Sequence, residues 1–383
     1  MKKLHNIFIF FALLLFINIQ CKKTYNPPAV RVNYNYLVVN GTLINSSDSP
    51  TVIQLSRTKA LSDSTFVTAP ETGAQVTVEG NDNEVFQLIE VQPGTYQTSP
   101  LHLNYTNQYR LNITVSNGNK YQSDYIPVKQ TPPIDSITWQ QKDDVMIYLN
   151  THDPANNTRY YRWDYVETYQ YEAPLSASLG TSNGRLYYVD STDQTFDCWL
   201  TVDSKNILAG SSVALAQDII NQAPITTILQ NSQKISIRYS ILVKQYAITQ
   251  QAYQYLEVLK TNTENLGSIF DAQPTQLTGN IHSLQNPSEP VIGFLTASSV
   301  QQERLFITKY DVTNWHFVDT NAECAVTAIG HADLPDPAFF VYDYPDPDFY
   351  PYYFCGTGCL NIAKRQCVDC RLRGGVNQKP SFW

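Results

Sequence analysis

"YRLNITVSNGNKYQSDYIPV" (residues 109–128) decides the fold. Tyr109, Leu111, Ile113 and Val115 alternate with Arg110, Asn112 and Thr114. This period of two turns one face of a strand to a core and the other to water. Asn117-Gly118 supplies a tight hairpin turn, because both residues tolerate the left-handed backbone it needs. "YQSDYIPV" then returns as a second strand.

The same texture extends upstream. "YLVVNGTL" (36–43), "TVIQLSR" (51–57), "AQVTVEG" (74–80), "VFQLIEV" (85–91) and "PGTYQT" (93–98) are short β-rich runs split by Gly, Asn and Asp. Strands at this spacing predict an immunoglobulin-like or transthyretin-like sandwich over 36–128. "KQTPPIDS" (129–136) reads as a linker, since paired prolines stop strand pairing and stiffen a joint.

Downstream the strands lengthen. "TRYYRWDYVETYQY" (158–171) is Tyr-rich, and "KISIRYSILVKQYAI" (234–248) places Ile235, Ile237, Tyr239, Ile241 and Val243 on one face. The period then changes. "TQQAYQYLEVLKTNTENLG" (249–267) puts Ala252, Tyr255, Leu256 and Leu259 on one helical face, with Thr249 as cap and Gly267 just past the end. Strands resume at "PVIGFLTA" (290–297) and "RLFITKY" (304–310). The fold expected is therefore mainly β: a sandwich, then a larger β-rich domain over 137–383 with at least one packed helix and a Cys-rich C-terminal tail.

The N-terminus reads as an export signal. Lys2 and Lys3 precede an apolar run, Ile7 to Ile19, broken only by Asn18. As a helix this run spans roughly 20 Å, short of the roughly 30 Å hydrocarbon core of a bilayer. Asn18, Ile19 and Gln20 lack the small residues of an ordinary cleavage site. The reading that remains is a lipoprotein signal over 1–20, with a degenerate box, cleaved before Cys21. Acylated Cys21 would anchor the chain, and 21–35 would be a flexible tether. Removing residues 1–20 from 383 leaves 363, which favours two domains. It also takes the formal charge from −8 to −10. With a pI of about 5.2 and no basic block, nucleic-acid binding is not expected.

Three stretches carry a family resemblance. They are "YSILVKQYAITQQAYQYLEVLKTNTENLGSIFDAQPTQLTGNIH" (239–282), "EPVIGFLTASSVQQERLFI" (289–307) and "CVDCRLRGGVNQKPSFW" (367–383). Together with the N-terminal β-region they resemble domain-of-unknown-function family 4249, lipoproteins of Bacteroidota. The resemblance implies an outer-membrane location and a TonB-dependent outer-membrane receptor as partner; it implies no activity. Cell-surface display is expected over the periplasmic face. The Lys22-Lys23 pair departs from the acidic residues common after the cysteine in surface-exported members, and leaves the leaflet open.

Candidate chemistry is sparse. Gly180-Thr-Ser-Asn-Gly184 matches a nucleophile elbow formally, but the strand-like "RLYYV" follows Ser182 where a helix is required. His5, His102, His152, His282, His316 and His331 include no pair at helical metal-ligand spacing. Glu167, Glu172 and Asp190 are the carboxylates among aromatics that a glycoside hydrolase could use, though solvated charges on Tyr-rich strands are the simpler reading. No cofactor is expected. Cys198, Cys324, Cys355, Cys359, Cys367 and Cys370 form an even set, and in an exported chain disulfides are expected. The last four lie within 16 residues, so they are expected to pair among themselves and Cys198 with Cys324. A Cys₄ zinc site is the alternative.

"DLPDPAFFVYDYPDPDFYPYYF" (333–354) mixes acids, prolines and rings. The prolines are expected to prevent a regular strand. Asp343, Asp346 and Asp348 offer oxygens to calcium but lack an EF-hand pattern. Phe339, Phe340, Tyr342, Tyr344, Phe349, Tyr350, Tyr352, Tyr353 and Phe354 are candidates for a binding surface, against the simpler reading of a loop packed on the body. Function is expected to be that of a non-enzymatic outer-membrane lipoprotein, an accessory or ligand-binding partner of the receptor. The alternatives are a structural or assembly lipoprotein of the envelope and, last, a secreted hydrolase.

Overall fold

The computed structural model describes residues 35–59, 69–182, 185–190, 193–264, 278–319, 324–329, 348–356 and 359–383. The signal and tether readings, Cys21, Phe339, Phe340, Tyr342, Tyr344, Asp343 and Asp346 lie outside them.

The chain is mainly β. The first strands are β1 (Leu37–Asn45), β2 (Pro50–Arg57), β3 (Ala69–Pro70), β4 (Gln75–Gly80), β5 (Val85–Gln92), β6 (Thr95–Pro100), β7 (Gln108–Thr114), β8 (Lys120–Ser123) and β9 (Ile126–Lys129). They pair in the order β1-β2-β6-β5-β4-β7-β8 and enclose one apolar core. Tyr109, Leu111, Ile113 and Val115 are all buried in it, as the alternation in β7 requires. The hairpin closes through Gly118 at φ 87°, with Val115 N donating to Asn119 O at 2.9 Å. The returning segment splits in two. Asp124 N leaves the ladder for Asn280 O at 2.8 Å, and β9 then pairs with β7.

Next come β10 (Ile134–Gln141), β11 (Val145–His152), β12 (Tyr160–Glu172), β13 (Leu179–Ser182), β14 (Arg185–Tyr188), β15 (Asp197–Asp203), β16 (Leu208–Ser211), β17 (Ile219–Ile228) and β18 (Arg238–Ala247). They are followed by helix α1 (Gln250–Glu264), β19 (Ile281–Ser283), β20 (Thr296–Thr308), β21 (Thr327–Ile329), β22 (Phe349–Gly356), β23 (Cys359–Lys364) and the short helix α2 (Arg365–Val368). A sheet in the order β15-β12-β18-β20 faces the three-stranded sheet β10-β11-β17. Between them pack Val145, Ile147, Leu149, Trp163, Tyr165, Tyr239, Ile241 and Val243. The α1 cap is as expected: Ala252 N donates to Thr249 Oγ1 at 3.2 Å. Among the described residues no helix is long and apolar enough to cross a membrane.

The two β regions share hydrogen bonds. β20 pairs in parallel with β1 from Thr42↔Thr296 to Asn45↔Ser299, and β19 extends the first region beside β8. Ile281, Val291, Leu295 and Ala297 complete the first core. In the proline-rich connection Thr131 is buried, and its hydroxyl accepts from Ala247 N at 2.9 Å.

Three expectations are corrected. β18 starts at Arg238, and Ile235 is buried from a 3₁₀ turn over Gln233–Ile235, started by the Ser232 cap, instead of from the strand. The two strands expected at 290–297 and 304–310 are one, β20, and the residues before it make only an isolated bridge, Val38↔Ile292. Gly293 at φ 143° turns the chain there: a Cβ on it would lie 2.1 Å from Val39 O. Finally, prolines do not stop β22. Pro351 sits inside it because β22 is the edge of the β21-β23-β22 sheet and a register shift falls at Pro351/Tyr353.

Candidate functional site

The six cysteines form disulfides: Cys355–Cys359 lies within the last four as expected, but Cys198–Cys370 and Cys324–Cys367 replace the expected Cys198–Cys324 and the second bond among the last four. Proximity in sequence misleads because Cys367 ends on one side of a turn and Cys370 on the other. Cys367 packs with Ala363 and Val368, whereas Cys370 packs with Tyr171, Ala173 and Cys198. With all six sulfurs paired, these thiols are not zinc ligands.

The Cys198–Cys370 bond fixes the C-terminal tail. Tyr171 Oη donates to Cys370 O at 2.6 Å and accepts from Gly375 N at 3.1 Å. A Cβ on Gly375 would lie 2.5 Å from that hydroxyl. Trp199 and Val376 exchange backbone hydrogen bonds at 2.8 and 3.0 Å. Phe382 then lies against Arg304 (3.6 Å from guanidinium carbon to ring centroid), and Trp383 against Arg238 (5.1 Å).

The residues weighed for catalysis do not converge. Ser182 ends β13, and the next described element is the paired strand β14, so the elbow's helix is not there. Glu167 is buried; it accepts from Tyr239 Oη at 2.8 Å and Lys234 Nζ at 2.5 Å, and burial followed by the Glu167 charge pushes the Tyr239 phenol well up. Glu172 is five residues further along β12, about 17 Å at strand rise and on the opposite face. That exceeds the roughly 5–9.5 Å of glycosidase carboxylates. Asp190 lies in the loop after β14. His152 contacts Asp135 at 2.8 Å and His282 contacts Asp124 at 3.3 Å. His102 is exposed, and His5 and His331 lie outside the described residues. Asp348 O accepts from Arg365 N at 2.7 Å.

Of the binding-surface candidates, Phe349 and Phe354 pack with Leu179, Leu360 and Ile362. Tyr350 and Tyr352 pack around Ala363, Cys367 and Val368. Tyr353 faces outward, 41% exposed.

A concave aromatic site lies elsewhere. A cavity of about 780 Å³ is bounded by Glu172 at the end of β12, Phe196 before β15, Gln233, and the segment from Lys309 to Asp319 after β20. Lys309 and Tyr310 stand on a turn set by Asp311, which accepts from Thr308 N at 2.7 Å. Trp315 donates to Ser232 O at 3.0 Å, and His316 N donates to Asn231 Oδ1 at 2.6 Å. Asn231 (φ 59°) and Asn314 (φ 52°) take the left-handed turns that bring these two loops together. The wall is therefore held by specific bonds. Trp315 and Phe196 pack against neighbouring cores, while Tyr310 is 85% exposed and Phe317 36%.

Burial, then the Asp197 charge, raises the Glu172 carboxyl above its ordinary range, against the pull of Lys309. Asp319, the other carboxylate at the cavity, is tied to Arg373. Rings, one carboxylate, an ammonium and an imidazole suit a ligand with one apolar face and a hydrogen-bonding edge. Glu172 and His316 were visible as candidates in sequence; Lys309, Tyr310, Trp315 and Phe317 were not. Their signal is "KYDVTNWHF" (309–317), three rings in a turn-rich segment.

No curated protein matches the chain. Among solved structures, the Yersinia pseudotuberculosis adhesin InvE aligns at 13% identity and a TM-score of 0.14, over 56% of this chain and 57% of that one. The profile described as Domain of unknown function (DUF4249) matches residues 23–304, and the chain belongs to that family.

Proposed function

We propose that this protein is a lipid-anchored outer-membrane protein of Bacteroidota type, displayed at the cell surface, that holds a ligand beside a TonB-dependent receptor and is not itself an enzyme. The observation that carries this reading is the aromatic cavity of Glu172, Lys309, Tyr310, Trp315 and Phe317, with Tyr310 and Phe317 exposed beside polar groups. Anchoring through Cys21 would confine the body to the membrane plane, where effective concentration next to a receptor rises without any new contact. The lipoprotein-type N-terminus and the family resemblance support the location and the partner. Gentle purification from native membranes tests it: a TonB-dependent receptor should co-purify with the wild-type protein, and Cys21→Ser should release the protein from the membrane fraction.

A structural or assembly role is the second reading. It is favoured by Val85, Ile89 and Val91 on β5, which are 61%, 64% and 47% exposed on a strand face they share with Gln87. If envelope assembly proteins co-purify and no receptor does, that reading takes over.

A further inference from the structure

At the seam where β1 meets the outer face of β12, β18 and β20, two cavities share part of their walls. One is polar, about 480 Å³, with Thr42, Arg162, Asp164, Lys244, Tyr246 and Gln302 in its wall. The other is apolar, about 360 Å³, beneath α1, with Val39, Ala252, Tyr255, Leu256, Leu259 and Phe294 in its wall. Asn40, Gly41 and Arg162 bound both. A guanidinium therefore stands where a polar space meets an apolar one.

Arg162 is held but not satisfied. Its Nη1 donates to Thr42 Oγ1 at 3.1 Å and its Nη2 to Asp164 Oδ2 at 3.0 Å. Its guanidinium lies 4.4 Å from the centroid of the Tyr246 ring, the next side chain across the ladder. Its Nε is buried and has no acceptor. A buried donor on a charged group without a partner is costly and calls for an explanation. Lys244, paired in register with Asp164, makes no ion pair among the described residues. Asp164 and Asp203 stand in the same wall as these two cations. The wall therefore offers a guanidinium and an ammonium side by side, with Lys244 outside any ion pair among the described residues.

We infer that this seam is a second binding site, for an amphipathic molecule whose anionic head, carboxylate or phosphate, sits on Arg162 and Lys244 and whose apolar body lies beneath α1. The head pairs with Lys244 and with the accessible part of the Arg162 guanidinium, in the charge-assisted geometry that arginine favours. The apolar body removes the inner face of α1 from water at Leu256 and Leu259. Each cavity falls within the size range of ordinary ligand sites. The site is built from other residues than the aromatic cavity, so its failure would leave the receptor reading standing.

Calorimetric titration of the full chain carrying Cys21→Ser tests this with four probes: dodecanoate, dodecyl phosphate, dodecanol and inorganic phosphate. Both charged amphiphiles should bind below their micelle concentrations, dodecanol at least tenfold more weakly, and inorganic phosphate at least tenfold more weakly. The preference between dodecanoate and dodecyl phosphate identifies the head. Arg162→Met should weaken binding at least tenfold. Leu256→Trp, on a half-buried helix face where it fills the apolar cavity, should do the same with the head site intact. Absence of binding by both charged amphiphiles overturns the proposal, as does equal binding to either variant when its thermal midpoint matches the parent's.

Discussion

Replacing Cys198 and Cys370 together with alanine removes the covalent clamp between β15 and the C-terminal tail. With Cys324–Cys367 intact, the loop this bond closes runs from 198 to 324, crosses that bridge and returns from 367 to 370. This is about 130 residues, for which the chain-entropy relation gives about 5 kcal/mol. Native-state relaxation reduces such figures, so the expected loss is about 3–5 kcal/mol. For a unit of roughly 350 residues the unfolding entropy near the midpoint is about 0.7 kcal/mol/K, so Tm should fall by about 4–7 °C. The assay is scanning calorimetry of the Cys21→Ser chain with and without the double substitution, alongside non-reducing peptide mapping. An unchanged Tm, or a Cys198–Cys324 peptide in the wild type, would refute the reasoning.

Gly375→Ala should cost about 1–3 kcal/mol and speed proteolysis of the tail, because the new methyl meets Tyr171 Oη at 2.5 Å; denaturant melts and limited proteolysis check it. Glu167→Ala leaves the Tyr239 hydroxyl and Lys234 without their acceptor and should cost about 2–3 kcal/mol, discounted for the partial exposure of Lys234, whereas Glu167→Gln should cost less. The Asp135 hydrogen bond, then its charge, raises the His152 pKa. The stabilisation is therefore present below the ordinary histidine value and is lost as pH rises through the folded value; NMR titration should show the shift in the wild type and its absence in Asp135→Asn.

Much of the scaffold was legible because its signals are local. The alternation in β7, the Asn117-Gly118 turn and the Thr249 cap each need only neighbouring residues, and each is where its chemistry requires it. The disulfide partners were not legible, since which side of the Cys367–Cys370 turn meets β15 is a tertiary matter. Nor was the merging of two apparent strands into β20, whose start is set by Gly293 approaching β1. The aromatic cavity draws on residues from Glu172 to Asp319, and exposure of Tyr310 cannot be read from a string in which most tyrosines are buried or half-buried. Arg162 read as one charge in a Tyr-rich strand; its hydrogen bond to Thr42 exists only once β1 lies beside β20.

The central claim is that the chain holds a ligand in the aromatic cavity while bound to a TonB-dependent receptor. Native mass spectrometry of the complex gently purified from membranes tests it most directly, comparing wild type with the Tyr310→Ser, Phe317→Ser double variant. Receptor and this protein should form one complex in both cases, with a small-molecule mass on the wild-type protein that the variant lacks. Wild-type protein without receptor, or a bound mass that is the same in the variant, would contradict it.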